Sequence, residues 1–365
     1  MPPKTTIIIG AGAAGLAAAR AVHAAGVHVT VLEARERVGG RVCTDTSFAR
    51  FPIELGAELI HGERVITHRY LAEAGLGSYR VDRYGTLRWG AGGRARSREE
   101  HTPAGHAQLA TLAATYAGIA DLSWGDDLSL ADYLRQSGAD TRAIAVADVL
   151  YAQTCCAAIE TLGCADLARE MQLDHAGHEE FRVHGGYGAL FDWFAHGLDI
   201  RLGTVVWRVQ WGAGGVHVET NRGLFQAERC IITLPVGVLQ ANSVQFDPPL
   251  SAEKQDAIAA LRLERATKFF LRFDRRHWDA DLAYMAHEGR FARWWTPSLG
   301  VKSQASASRR ATLAEQDHSD VICCYVTVER AAALDQLSDA EAIGFACAEL
   351  ETLLGEAGLA EHVTG

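Results

Sequence analysis

The chain has 365 residues, enough for two domains or one large interrupted domain. Hydrophobic residues make up 48% and charged residues 22%, the balance of a globular protein, which excludes global disorder. Lys and Arg total 35 against 45 Asp and Glu, and the net charge of -10 repels phosphate backbones, so binding of nucleic acid is not expected.

No run of about 18 uncharged apolar residues occurs, so no membrane span is expected; the most apolar stretch, residues 143–158, is interrupted by Asp148, Gln153 and Thr154. Eight cysteines include no C-x-x-C pair, and in a chain of this length they read as buried thiols, with no metal centre expected. Residues 1–4 lead directly into a strand-like run with no signal peptide before it, which makes the cytoplasm the expected compartment.

Thr5 to Ile9 is a β-branched run suited to a strand covered on both faces. It ends in Gly10-Ala11-Gly12-Ala13-Ala14-Gly15, an alanine-rich helix is expected from Leu16 to Ala25, and Gly26 is its stop. A second strand, Val27 to Leu32, ends at the acidic Glu33. Strand, glycine turn, helix, strand and carboxylate in this order form a complete dinucleotide fingerprint. In it Gly10 permits the tight turn, Gly12 admits a pyrophosphate, and Gly15 lets helix and strand pack closely. Glu33 is a candidate acceptor for ribose hydroxyls.

The next segment, Leu32-Glu33-Ala34-Arg35-Glu36-Arg37-Val38-Gly39-Gly40-Arg41, resembles the second signature of the flavin amine oxidases, the family of monoamine oxidases, polyamine oxidases and flavin histone demethylases. The resemblance implies FAD as the cofactor, with Gly40 and Arg41 in a turn against the flavin or pyrophosphate and Ala34 and Arg35 also among the cofactor-binding residues. Pro52 to Gly62 looks like the family's strand and turn beneath the flavin ring, with Gly56, Ala57 and Glu58 near the cofactor and His61 at a substrate-facing position. Related L-amino-acid oxidases carry an arginine shortly after the Gly-Ala pair to hold a carboxylate. Here Glu58 follows directly and the nearest arginine in sequence is Arg64, which points to an amine lacking a carboxylate.

Tyr84 to Glu100, rich in glycine and arginine, reads as an exposed loop, and alanine-rich amphipathic patterns up to Leu173 read as a helical insertion covering the substrate. Ser129 is a helix start and Gly138 a stop. Val183 to Leu190 opens a second glycine turn before a helix. A strand-like stretch from Ile200 to Val209 follows, then three more, Gly215 to Thr220, Gly223 to Ala227 and Arg229 to Thr233. Periodicity alone makes these a β-meander. The resemblance makes them the return to the FAD domain, with Val206 offering backbone to the adenine and Pro235 near the cofactor. Ser251 caps a helix to Leu261. Ala266 to Asp274 is a strand with Lys268, Phe270 and Arg272 on one face and Phe269, Leu271 and Phe273 on the other. By resemblance Lys268 is the flavin-facing lysine, and Trp278 matches the family's tryptophan, although His277 replaces the usual phenylalanine. Ser298 to Asp320 reads as mobile, Val321 to Val328 as a strand, and Ser338 to Glu341 as a capping box opening a helix to Leu354.

The expected fold is therefore α/β: a discontinuous Rossmann-like FAD-binding domain, residues 1–85 and 181–250, with an α+β substrate domain, residues 86–180 and 251–365. The resemblance implies oxidation of a polyamine-like amine to an imine, with O2 reduced to hydrogen peroxide. Lys268 and His61 are the candidate catalytic residues. Two alternatives remain open: an FAD-dependent desaturase or protoporphyrinogen-type oxidase, and a non-catalytic flavin-binding protein. Family members continue into a C-terminal segment that encloses the flavin, and Ala357 to Gly365 is too short to supply it. Weak flavin binding is expected on that ground, and with it a non-covalent FAD, since a covalent flavin cysteine would lie in that segment.

Overall fold

The computed structural model describes residues 5–82, 87–97, 100, 103–123, 127–298 and 320–365. Thr5–Ile9 is the inner strand of a parallel sheet, flanked by His28–Leu32 on one side and Arg229–Ile232 on the other, with Asp199–Arg201 beyond His28–Leu32. The isoleucine run is buried on both faces, as its composition requires. Ile8 packs with Leu16 and Ala19 of the helix Ala13–Ala24, while Ile7 and Ile9 meet Val209, Val216 and Val218 behind the sheet. The helix begins three residues earlier than its hydrophobic pattern suggests, because the glycine turn winds directly into it: the Leu16 N–H bonds the Gly12 carbonyl at 2.9 Å.

Val206–Gly212, Gly215–Thr220 and Gly223–Ala227 form the expected antiparallel meander, and Gln245–Asp247 joins it in parallel. Two of the strands assigned to the meander by periodicity, Asp199–Arg201 and Arg229–Ile232, belong instead to the parallel sheet. The stretch from Ile200 to Val209 is broken because Gly203 and Thr204 turn to donate their N–H groups to the carbonyls of Arg35 and Glu33.

The second layer is a five-stranded sheet in the order Ala266–Arg272, Val321–Thr327, Arg293–Trp295, Tyr284–His287, Leu87–Gly90. One face, with Leu271, Phe273, Trp294 and Ile322, packs on Leu350 and Leu353 of the helix Asp339–Leu354. The opposite face, with Cys323 and Trp295, packs on Leu130 and Leu134 of the helix Leu130–Gln136 and Leu167 of the helix Cys164–Leu173. The expected caps are present: Ser129 accepts from the Asp132 N–H, and Ser338 and Glu341 close a capping box. Leu87–Gly90 corrects the reading of residues 84–100 as an exposed loop, since Trp89 is buried and the strand pairs with Tyr284–His287. Glycine-rich flanks hide such a short strand, whose partner lies almost 200 residues away.

Two small sheets lie where these layers meet. Thr44–Asp45 pairs with Ile53–Glu54, and Glu180–Val183 sits between Ile60–His61 and Ser78–Val81. All eight cysteines are free, four of them buried. Among the described residues no helix is long and apolar enough to cross a membrane. Most of the segment read as mobile, residues 299–319, lies outside the described residues, as do residues 1–4.

Candidate functional site

The first cluster forms around the glycine turn. Gly10 has φ +104°, and a Cβ at Gly15 would stand 1.9 Å from the Gly10 carbonyl oxygen, so the fold itself requires both glycines. Gly12 is different. Its backbone is extended, and a Cβ there would meet its nearest neighbour, Gly40 Cα, at 3.8 Å, ordinary contact. No side chain caps the helix behind Gly12, and Ala13 and Ala14 are exposed, so the helix start offers uncapped N–H groups to an anion. Glu33, buried at the end of its strand, accepts from the Ala11 N–H at 2.7 Å and the Arg35 N–H at 3.0 Å. A carboxylate has about four acceptor positions, so capacity remains for hydroxyl donors.

Other sequence candidates lie around this turn. Gly39 bridges Gly12, and the Gly39 N–H bonds the Ala11 carbonyl at 2.9 Å, which seats the turn through Gly40 on the first glycine turn. Arg35 and Arg37 donate to the Gly40 carbonyl, while the side chain of Arg41 is exposed. The Thr204 N–H bonds the Glu33 backbone carbonyl at 2.8 Å, so the chain entering Val206 is tied to the end of that strand; the Val206 side chain is buried with Ile7 and Leu32. Thr233 bonds the carbonyls of Ile9 and Gly10, and Pro235 follows as the N-cap of the next helix. An acidic residue, uncapped N–H groups and a glycine that internal packing does not demand fit the adenosine diphosphate half of FAD.

The second cluster forms around Glu58, whose side chain is 8% exposed. Lys268 donates to its Oε2 at 2.8 Å and to the Glu54 carbonyl at 2.8 Å. Arg182 contacts Oε1 from Nε at 2.9 Å and from a terminal nitrogen at 2.7 Å. Trp295 Nε1 donates at 3.0 Å and 3.2 Å, and its ring centre lies 5.4 Å from the lysine nitrogen. Strand register explains the meeting. Lys268 pairs with Tyr325, and Cys323, two residues before it, pairs with Trp295, so all four project to one face. Burial pushes the Glu58 carboxyl up, but Lys268 and Arg182 outweigh it and hold it at about 2. The Glu54 carboxyl is pushed above its ordinary value by burial, against the hydrogen bonds it accepts from Tyr187 N–H and Thr44. A cavity of about 60 Å3 lined by Glu58, Tyr79, Arg182 and His184 adjoins the cluster, room for water.

Arg182 and Trp295 carried no motif, and only strand alternation hinted at their direction. An arginine therefore does reach the position after the Gly-Ala pair, from a distant strand, with its charge already matched by Glu58. Gly56 also gains a different reason: a Cβ there would sit 1.9 Å from the Arg41 carbonyl oxygen, and the Ala57 N–H bonds that oxygen at 3.1 Å. His61 is not drawn into the cluster. Its side chain is 67% exposed and Nδ1 lies 3.1 Å from Glu180.

The sequence profile described as flavin containing amine oxidoreductase matches residues 13–364. The chain belongs to that family. Polyamine oxidase 4 of Oryza sativa subsp. japonica is 33% identical over 307 residues, covering 76% of this chain and 60% of the relative. Lysine-specific histone demethylase 2 of Homo sapiens is 29% identical over 299 residues, covering 76% of this chain and 35% of the relative. The chain thus spans less than two thirds of the length of either relative. The structure of wild-type putrescine oxidase bound to putrescine superposes with a TM-score of 0.79 at 20% identity, over 99% of this chain and 83% of that one, and shares the fold, an FAD-binding unit plus a substrate unit.

Proposed function

We propose that this chain oxidises an amine lacking a carboxylate, of the polyamine type, to an imine, with non-covalently held FAD as the immediate oxidant and O2 as the final acceptor, giving hydrogen peroxide. The observation that carries this reading is the buried Lys268–Glu58–Arg182 cluster in a chain of this family. When bound, FAD supplies the two-electron chemistry at the C–N bond. The chain's own residues would do the rest. The N–H groups from Gly12 to Gly15 would hold the pyrophosphate, and Glu33 would accept from the ribose. Arg41, Gly56 and Ala57 would border the ring, and the backbone at Val206 and Pro235 would border the adenosine.

Lys268 uses two of its three N–H donors on Glu58 and Glu54. The third is left to hold a water that moves protons. Glu58, held ionised by its neighbours, fixes the position of the Lys268 side chain. The side chains of this cluster are only 8–11% exposed, and such a desolvated setting favours the neutral form of an amine nearby, the form whose lone pair drives oxidation.

The test is spectroscopic. Anaerobic addition of spermidine to the flavin-loaded protein is expected to bleach the flavin absorbance, and admitting air is expected to restore it with one peroxide per carbonyl product. A stable yellow protein that spermidine, putrescine and benzylamine all leave unbleached would reject the reading in favour of the desaturase-type or non-catalytic alternatives.

A further inference from the structure

Six residues beyond Lys268, just past the end of the same strand, lies a cluster that the amine chemistry does not use. Asp274 Oδ1 is 3.1 Å from His277 Nε2, and Asp274 Oδ2 is 2.9 Å from His362 Nδ1. One donor atom from each residue lies within 4.8 Å of the others. The His277 side chain has no exposure, and its second ring nitrogen, Nδ1, is 2.7 Å from Glu356 Oε1.

A neutral imidazole carries one N–H and one lone pair. His277 has a carboxylate at each nitrogen. If Nδ1–H donates to Glu356, the Nε2 lone pair points at the Asp274 carboxylate, and that repulsive contact is relieved only by a second proton or by a cation. A histidine backed by a carboxylate on its outer nitrogen is the arrangement that orients imidazole ligands toward a metal. We propose that Asp274, His277 and His362 bind one divalent transition cation of the Zn2+ class, with Glu356 fixing the orientation of His277. Two imidazoles and one carboxylate suit a borderline cation, whereas Mg2+ and Ca2+ favour oxygen donors throughout. Three protein ligands leave a fourth position for water.

The backbone gives the site a consequence. Asp274 N–H bonds the His362 carbonyl at 2.9 Å, Thr364 N–H bonds the Arg272 carbonyl at 2.7 Å, and Phe273 bridges Val363. The segment 359–365 thus lies along the strand that carries Lys268, and a cation would staple the two. The inference is independent of the flavin reading.

The experiment uses the full chain without an affinity tag, stripped with chelator and titrated with Co2+ and then Zn2+ by visible absorption and calorimetry. One equivalent of Co2+ with four-coordinate bands, displaced by Zn2+, is expected. Asp274→Asn and His277→Phe lose that binding, and His362→Asn, at the partly exposed rim, does so with least risk to folding. Glu356→Gln weakens it about 10–100-fold, while His217→Gln, an exposed control, leaves it unchanged. Zn2+ should raise the unfolding midpoint of the parent and not of His277→Phe. A parent that takes up no Co2+, or equal uptake in all three ligand variants, overturns the proposal. So does a midpoint that follows pH through the histidine range without responding to Zn2+, which would make the cluster a proton-held clasp.

Discussion

At the residue scale, Glu58 binds the candidate site together. Replacing it with glutamine leaves Lys268 and Arg182 facing each other in a buried setting without their shared anion, and removing one partner of a buried pair costs about 3–5 kcal/mol. Glu58→Gln should therefore lower the denaturant midpoint markedly at neutral pH. The sign of the pH dependence follows from the depressed carboxyl, about 2 in the folded chain against an ordinary 4.5. Stability from ionised Glu58 is fully present above pH 4.5 and lost as pH falls toward 2. The gap between parent and Glu58→Gln should narrow over that window, measured by urea titration at several pH values; a constant gap would mean that Glu58 is not held ionised. Lys268→Met should retain as much FAD as the parent on desalting but slow turnover by on the order of 100-fold, the scale of a lost proton-transfer group. Unchanged rates in both half-reactions would remove Lys268 from the chemistry. Lys268 was legible because it begins an alternating strand that matches a family pattern. Its partners were not, because Arg182 and Trp295 meet Glu58 only after three distant segments have paired.

At the scale of elements, the glycine turn separates two demands that the sequence writes identically. A Cβ at Gly15 collides with the Gly10 carbonyl, backbone that cannot move without parting helix from sheet. Gly15→Ala should cost about 1–3 kcal/mol, the scale of overpacking, whether or not flavin is added. Gly12→Ala meets no protein atom closer than 3.8 Å and adopts an ordinary extended conformation, so the unliganded chain should keep its stability within about 0.5 kcal/mol. If Gly12 instead makes room for the pyrophosphate, that variant should lose FAD on desalting. Equal flavin content in Gly12→Ala and the parent would place the pyrophosphate elsewhere. Local signals read this element well because strand, turn and helix are contiguous and each has its own chemistry. They failed for Leu87–Gly90, where pairing with Tyr284–His287 decides the conformation and nothing in the local sequence records it. The return strands were likewise legible as strands, but their allocation to the meander or to the parallel sheet depends on contacts with residues 5–32.

At the scale of the whole molecule, both large sheets are built from distant parts of the chain. The parallel sheet joins residues 5–32 to residues 199–232, and the five-stranded sheet joins residues 87–90 to residues 266–327. Between them stand the bonds of Lys268 to Glu58 and the Glu54 carbonyl, and of Arg272 to the Phe48 carbonyl at 2.6 Å. Neither sheet can form from one continuous half of the chain, and these contacts tie the five-stranded sheet to residues 48–58, which follow the glycine-turn unit in the chain. A ligand that binds only the folded state at 100 times its dissociation constant adds about 2.7 kcal/mol. With an unfolding entropy of about 2.1 cal/mol/K per residue, 365 residues convert this into a rise of about 3–4 °C in Tm if the chain unfolds as one unit. FAD held at the glycine turn should then slow amide exchange in Val321–Thr327, at the heart of the five-stranded sheet, as much as in Thr5–Ile9, which carries the turn. Mass spectrometry of exchange with and without FAD reads both segments in one sample. Protection confined to the parallel sheet would show that the Glu58 cluster joins the two layers too weakly to make them one cooperative body. The Lys268 side of the site would then have to be ordered by the amine, since the cofactor would not do it.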